Sequence, residues 1–146
     1  MSILPSEYSL QLLSKISPQR KKELQALIPK GSSVVFKNGV SETEYAELLQ
    51  TAHCLATASK EEGFGLPLVE AQTQGTPVVC SDMEIFREVA DNAALYCQED
   101  SPDEFAKAIK SLDSPNARQD IVTKGYANTA RFSWANSAQV IWDISI

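Results

Sequence analysis

A chain of 146 residues is the size of one domain with one core. With 43% hydrophobic and 22% charged residues it has an ordinary soluble globular composition. The formal net charge of −6 speaks against a surface built to hold a nucleic-acid backbone, so no nucleic-acid partner is expected.

The one basic cluster, Lys15, Arg20, Lys21 and Lys22, has no interleaved aromatics and reads as a solvated helix face. Cys54, Cys80 and Cys97 are odd in number, widely spaced and without a Cys-x-x-Cys pair. Buried free thiols in a reducing compartment are therefore expected, rather than disulfides or zinc. His53 is the single histidine and cannot supply a His-rich metal site. No apolar run reaches membrane-span length, and the first residues lack a signal-peptide core. The expected location is cytoplasmic, with a peripheral membrane role left open through a partner domain.

In chain order, residues 1–5 read as a ragged start. Tyr8, Leu10, Leu12, Leu13 and Ile16 lie close to helical spacing and predict a helix over 7–16. Ser17-Pro18 starts a second helix, to about Ile28, with Leu24, Leu27 and Ile28 as its apolar face, and Pro29-Lys30-Gly31 ends it. Val34-Val35-Phe36 is a strand and Lys37-Asn38-Gly39 a turn. Ser41 with Glu44 is a capping-box pattern, opening a helix with Tyr45, Leu48, Leu49 and Ala52 as its stripe. His53–Ala58 is a second strand, followed by a loop over 59–65 and a helix from Leu66 to Thr73 that Gly75 closes. Pro77–Cys80 is a third strand, Met83–Val89 a short helix, and Ala93–Cys97 a fourth strand. Helices follow over 102–112, 117–131 and 134–144.

Strands alternating with helices imply a parallel sheet covered on its faces. Right-handed crossovers then put every strand-to-helix loop on one edge, so 37–40, 59–66 and 81–82 are expected to line one crevice. The expected class is α/β, a Rossmann-like three-layer domain with a small parallel sheet. It divides into a helical lead-in (1–32), an α/β core (33–112) and C-terminal helices (113–146).

The densest chemistry lies in Glu62-Gly63-Phe64-Gly65-Leu66-Pro67-Leu68-Val69-Glu70. Two glycines permit close backbone approach, and the free N–H groups of a helix start can meet phosphate or sugar oxygens. A carboxylate at Glu70 can accept two hydrogen bonds from a ribose diol, and Glu62 can hold sugar hydroxyls or stabilise positive charge. Spacing alone equally allows Glu70 to favour the helix dipole and Glu62 to be a solvated loop residue. Leu at position 68 breaks a dinucleotide fingerprint, and no Gly-Lys-Ser/Thr occurs. His53, Asp82 and Ser81 or Ser59 could be drawn into a hydrolase triad, but no Gly-x-Ser-x-Gly elbow occurs. Trp134, Val140, Ile141 and Trp142 read as core or as a docking surface within 134–146. Glu99, Asp100, Asp103 and Glu104 read as a helix start rather than a calcium loop.

The run from Glu62 to Ala71 resembles the E-x7-E motif of family-4 retaining glycosyltransferases, which have the GT-B fold. Similar flanking segments are Val35–Val40, Gly75–Val79, Glu88-Val89 with Asn92–Ala94, and Phe132–Trp134. This resemblance implies the C-terminal, donor-binding half of a GT-B fold. It implies that Glu70 binds the ribose of a UDP- or GDP-sugar and that Glu62 contacts the transferred hexose near the reacting carbon. Backbone N–H groups of Gly63, Phe64, Gly65 and Leu66 would meet sugar hydroxyls, those of Leu68 and Val69 the diphosphate, and Gly39 and Val40 would border the base. No cofactor or metal is implied, because basic groups and a helix terminus balance the leaving diphosphate.

The family pattern opens with a strand and loop carrying an Arg and a Lys, and no strand is expected before residue 33 here. The basic residues at 15–22 are expected on helices, poorly placed to replace that pair. The N-terminal acceptor-binding domain is absent from the pattern as well. The chain is therefore expected to be a truncated donor domain, inactive alone. The alternative is a non-catalytic interaction module or split-enzyme subunit pairing with a separate acceptor domain. An exposed C-terminal helix would favour self-association.

Overall fold

A computed structural model describes residues 4–144. Positions 1–3 of the expected ragged start and 145–146 of the expected C-terminal patch lie outside them. The chain folds as two compact units, residues 1–48 and 49–146.

The first unit contains β1 (Ser9–Leu13), α1 (Pro18–Leu27), β2 (Ser33–Lys37) and most of α2 (Glu42–Thr51). β1 and β2 pair in parallel, with Leu10 opposite Val34 and Leu12 opposite Phe36. The expected helix over 7–16 is thus a strand, and a strand does precede residue 33. Leu10, Leu12 and Leu13 satisfy both periodicities over so short a run, and only the ladder with β2 decides between them. Lys15 accordingly follows a strand directly instead of lying on a helix, while Arg20, Lys21 and Lys22 do lie on α1.

Local rules act as expected at the helix starts. Ser17 Oγ accepts from the Arg20 N–H (3.1 Å) and Pro18 occupies the first turn of α1. Ser41 Oγ accepts from the Glu44 N–H (3.1 Å), but the Glu44 carboxylate does not complete the box: it takes Lys37 Nζ at 2.7 Å. The expected apolar face of α1 is not buried; Leu27 is 76% exposed and α1 has no buried residue.

The second unit holds β3 (Leu55–Thr57), α3 (Leu66–Thr73), β4 (Val78–Ser81), α4 (Glu84–Ala90), β5 (Leu95–Cys97), α5 (Pro102–Ser111), α6 (Pro115–Thr129) and α7 (Trp134–Ile144). β3, β4 and β5 form a parallel sheet in that order. The expected single sheet is therefore two, one per unit. β4 is fully buried along its length, as expected of a central parallel strand. Val79 packs with Cys97, Leu112, Phe105 and Ile109, which puts α5 on the Val79 face. Val78 and Cys80 alternate to the opposite face, where right-handed crossovers place α3 and α4.

Among the described residues, full burial is confined to the second unit, from Leu49 to Asn128. Cys54, Cys80 and Cys97 are free thiols; Cys80 and Cys97 are buried as expected, while Cys54 is only half-buried. α7 has no buried residue; Trp134 is 84% and Trp142 65% exposed, so these side chains are surface rather than core. No helix among the described residues is long and apolar enough to cross a membrane.

Candidate functional site

The loops over 58–65 and 82–83 follow parallel strands of one sheet and share its C-terminal edge. Ligands of open α/β sheets bind at that edge. Gly39 and Val40 belong to the first unit. There Gly39 has φ +87°, and a Cβ added to it would stand 3.6 Å from Lys15 Cε.

The start of α3 is set by Gly65. It is buried, has φ +89°, and is the N-cap of a helix whose first turn contains Pro67. A Cβ at Gly65 would come within 2.8 Å of the buried Phe86 ring, so the backbone lies directly on that ring. No side chain caps this helix end. The N–H groups of Gly63, Phe64 and Gly65 carry no hydrogen bond among the described residues. The Leu68 N–H donates to Gly65 O at 3.0 Å, and the Leu68 side chain is 1% exposed, part of the core. The result is a helix terminus with open donors and no carboxylate cap of its own.

Glu62 and Glu70 stand at the two ends of this start, both exposed. Glu62 is held: Ser59 Oγ donates to its Oε1 at 3.0 Å, and Thr57 Oγ1 lies 3.1 Å from Ser59 Oγ. Glu70 lies on α3 itself. Gln72 anchors that helix, donating through Nε2 to Ala93 O (3.1 Å) and accepting at Oε1 from Asn128 Nδ2 (2.7 Å). Asn128 also donates to Val89 O at 2.9 Å, and Arg131 donates to Asn128 Oδ1 (2.8 Å) and to Glu88 O (3.1 Å). Gly125 allows α6 this approach, since a Cβ there would stand 3.3 Å from Gln72 Cγ. At its other end α3 stops in a Schellman turn: the Gly75 N–H meets Gln72 O and the Thr76 N–H meets Ala71 O.

Two further contacts fix the loop. The Phe64 ring meets Phe132 edge-on, with centroids 5.9 Å apart. Lys60 Nζ bridges both Asp100 oxygens at 2.7 and 2.9 Å. That hydrogen bond, with the charges of Asp100 and Glu99, pushes the Lys60 ammonium above its usual range. Asp82, in the neighbouring loop, is forked by Arg87, with Nη2–Oδ2 at 2.7 Å, and the fork holds its carboxyl below the usual range.

The hydrolase triad does not assemble. Asp82 is taken by Arg87, and His53 Nε2 lies 3.1 Å from Ile109 O and 3.5 Å from Asp113. Ser81 is fully buried with no partner for its Oγ among the described residues. No group of three His, Cys, Asp or Glu side chains among the described residues could hold a metal ion.

Sequence reasoning singled out Glu62, Glu70 and the glycines, but missed Thr57 and Ser59 as the support of Glu62, and Gln72 with Asn128 as the support of α3. Ser59 and Glu62 stand three apart, the spacing of a serine cap, and could have been noticed. Gln72 and Asn128 are 56 positions apart, and only the fold unites them.

A parallel α/β sheet with an open helix start between two carboxylates at its C-terminal edge is the arrangement in which strand-edge ligands bind in α/β folds. The chain belongs to the family described as Glycosyl transferases group 1, whose pattern it matches over residues 17–128. It is 34% identical over 108 residues to the O-antigen chain mannosyltransferase RfbU of Salmonella typhimurium, a match covering 74% of this chain and 30% of that protein. It is 33% identical over 138 residues to the MMP alpha-(1->4)-mannosyltransferase of Mycolicibacterium hassiacum, covering 90% of this chain and 34% of that one. Sucrose-phosphate synthase from Thermosynechococcus elongatus shares its fold at a TM-score of 0.80 and 17% identity, covering 97% of this chain and 46% of that structure. The α/β fold is that of GT-B glycosyltransferases. The chain spans about a third of the length of these curated relatives.

Proposed function

We propose that the second unit binds the donor of a retaining hexosyltransferase, a UDP- or GDP-sugar, as the C-terminal half of a GT-B enzyme. One observation carries the reading: Glu62 and Glu70 flank an uncapped helix start on the C-terminal edge of a parallel sheet. Glu70 accepts the two ribose hydroxyls, Glu62 faces the sugar near its anomeric carbon, and the open N–H groups of Gly63, Phe64 and Gly65 receive sugar oxygens. The helix terminus favours the negative diphosphate without a metal. Since the named relatives include mannosyltransferases, GDP-mannose is the first donor to try.

These residues bind rather than turn over the donor. Lys60 and Arg87, the basic side chains of the loop and of α4, are each occupied by a carboxylate. A leaving diphosphate therefore needs cations from elsewhere, and the acceptor needs its own domain.

Calorimetry with UDP-, GDP- and their hexose conjugates tests the reading. Glu70→Ala removes two hydrogen bonds to a charged acceptor, so donor affinity should fall by about 10- to 100-fold. Binding left unchanged in Glu70→Ala, or absent from the intact protein for every donor, overturns the assignment. Robust sugar transfer by the chain alone would overturn the binding-only reading.

A further inference from the structure

We infer that Ser59 is the positioning residue of Glu62, and that through it the loop distinguishes a sugar-bearing nucleotide from a bare one. This rests on the donor-site reading above.

A serine hydroxyl has one proton. Ser59 gives it to Glu62 Oε1 at 3.0 Å, because a carboxylate only accepts. The contact between Thr57 Oγ1 and Ser59 Oγ, 3.1 Å, must then run from Thr57 to Ser59. The chain Thr57 → Ser59 → Glu62 has one direction, and each link polarises the next. It starts on β3, whose last residue is Thr57, in register with the buried Cys80 of β4. A strand paired to the buried β4 therefore sets the position of an exposed loop carboxylate.

The chemical consequence lies in what remains open. Oε1 is occupied, while Oε2 accepts no hydrogen bond among the described residues. One oxygen is thus presented in a fixed place, ready for a single hydroxyl or for positive charge at a ring carbon. An unsupported glutamate on an exposed loop would lose its rotamer freedom only when ligand arrived, and binding would be weaker for it. Lys60, between the two residues, is engaged by Asp100 and so does not neutralise Glu62. Nothing in this relay concerns the nucleotide. Its effect should be confined to the sugar.

The test is a ratio. For the intact protein, calorimetry gives the dissociation constants of GDP, UDP and their hexose conjugates. The expected result is a preference for one sugar conjugate over its bare diphosphate. Ser59→Ala should shrink that preference about tenfold, the loss of one charge-assisted hydrogen bond, with the bare diphosphate bound as before. Ser59→Thr keeps the hydroxyl and should restore the preference, a rescue that a purely structural role would not predict. In a Glu62→Ala background, Ser59→Ala should change nothing further. A preference undiminished in Ser59→Ala, but lost in Glu62→Ala, overturns the role of Ser59 and leaves the donor site standing. Equal weakening of bare and sugar-bearing nucleotides overturns it as well. Failure of the wild type to bind any of the four ligands removes the donor site itself, and this inference with it.

Discussion

At the scale of single residues, the candidate site depends on a glycine that an alanine replaces only at a cost. Gly65 has φ +89°, and an added Cβ would press on the Phe86 ring at 2.8 Å. Gly65→Ala therefore meets two penalties, left-handed strain and overpacking of a fully buried ring, together about 2–4 kcal/mol. Gly31 provides the control. Its φ is +86°, but nothing lies within 4 Å of the Cβ position, so Gly31→Ala incurs only the backbone penalty, about 1–2 kcal/mol. Urea unfolding of the two variants should separate them in that order, and equal losses would mean that Phe86 moves aside freely. The two glycines of Gly63-Phe64-Gly65 were legible as places of close approach. What approaches Gly65 was not, since Phe86 lies 21 positions away on α4. The same holds for Glu62. The sequence makes it acidic and places it before a helix, but the hydroxyl chain that fixes it becomes visible only once β3 ends at Thr57.

At the scale of elements, α3 is tied to the rest of its unit through side-chain amides. Gln72 and Asn128 are both buried, and the Gln72 Oε1 acceptor takes its donor from Asn128 Nδ2. Asn128→Ala leaves Gln72 Oε1 and Val89 O without a donor and Arg131 without Asn128 Oδ1. Buried acceptors left unmatched cost about 2–4 kcal/mol in sum. A shift of the urea midpoint of that size is the expected outcome. Gln72→Ala in the Asn128→Ala background should then cost much less than it does alone, and full additivity would show that the pair is not coupled. Element starts and stops were largely readable, because they are local. Ser17 before Pro18, Ser41 accepting the Glu44 N–H and Gly75 after Thr73 each act within a turn. β1 was not readable. Five residues without a β-branched side chain carry no strand propensity of their own, and the strand exists through its pairing with β2. The stripe of α1 failed for the converse reason: Leu24, Leu27 and Ile28 are spaced for burial, yet nothing in the first unit buries them fully.

At the scale of the molecule, the two units differ in what they bury, and the cysteines report on one of them. No described residue before Leu49 is fully buried, whereas β4 is buried along its whole length. All three thiols lie in the second unit. Burial there pushes Cys54 up to about 11 and Cys80 up to about 12, and raises Cys97 as well. A thiolate is the reactive form, so at mildly alkaline pH the folded thiols should be almost inert. The folded values stand above the ordinary 9.0, so the folded state holds these protons more tightly than the unfolded chain. Their contribution is complete below about pH 9 and is lost as pH rises from there towards 11–12. Stability should fall across that window, and replacing Cys80 by Ala should flatten the fall. The matching kinetic measurement is thiol alkylation at pH 8 with increasing urea. Labelling should wait for the second unit to open and should follow its unfolding transition, even where backbone amides of the first unit already exchange. Prompt labelling of Cys80 in native buffer would contradict the burial on which both the raised thiols and the rigid β3–β4–β5 platform depend. That platform is what holds Thr57 and, through Ser59, the carboxylate of Glu62.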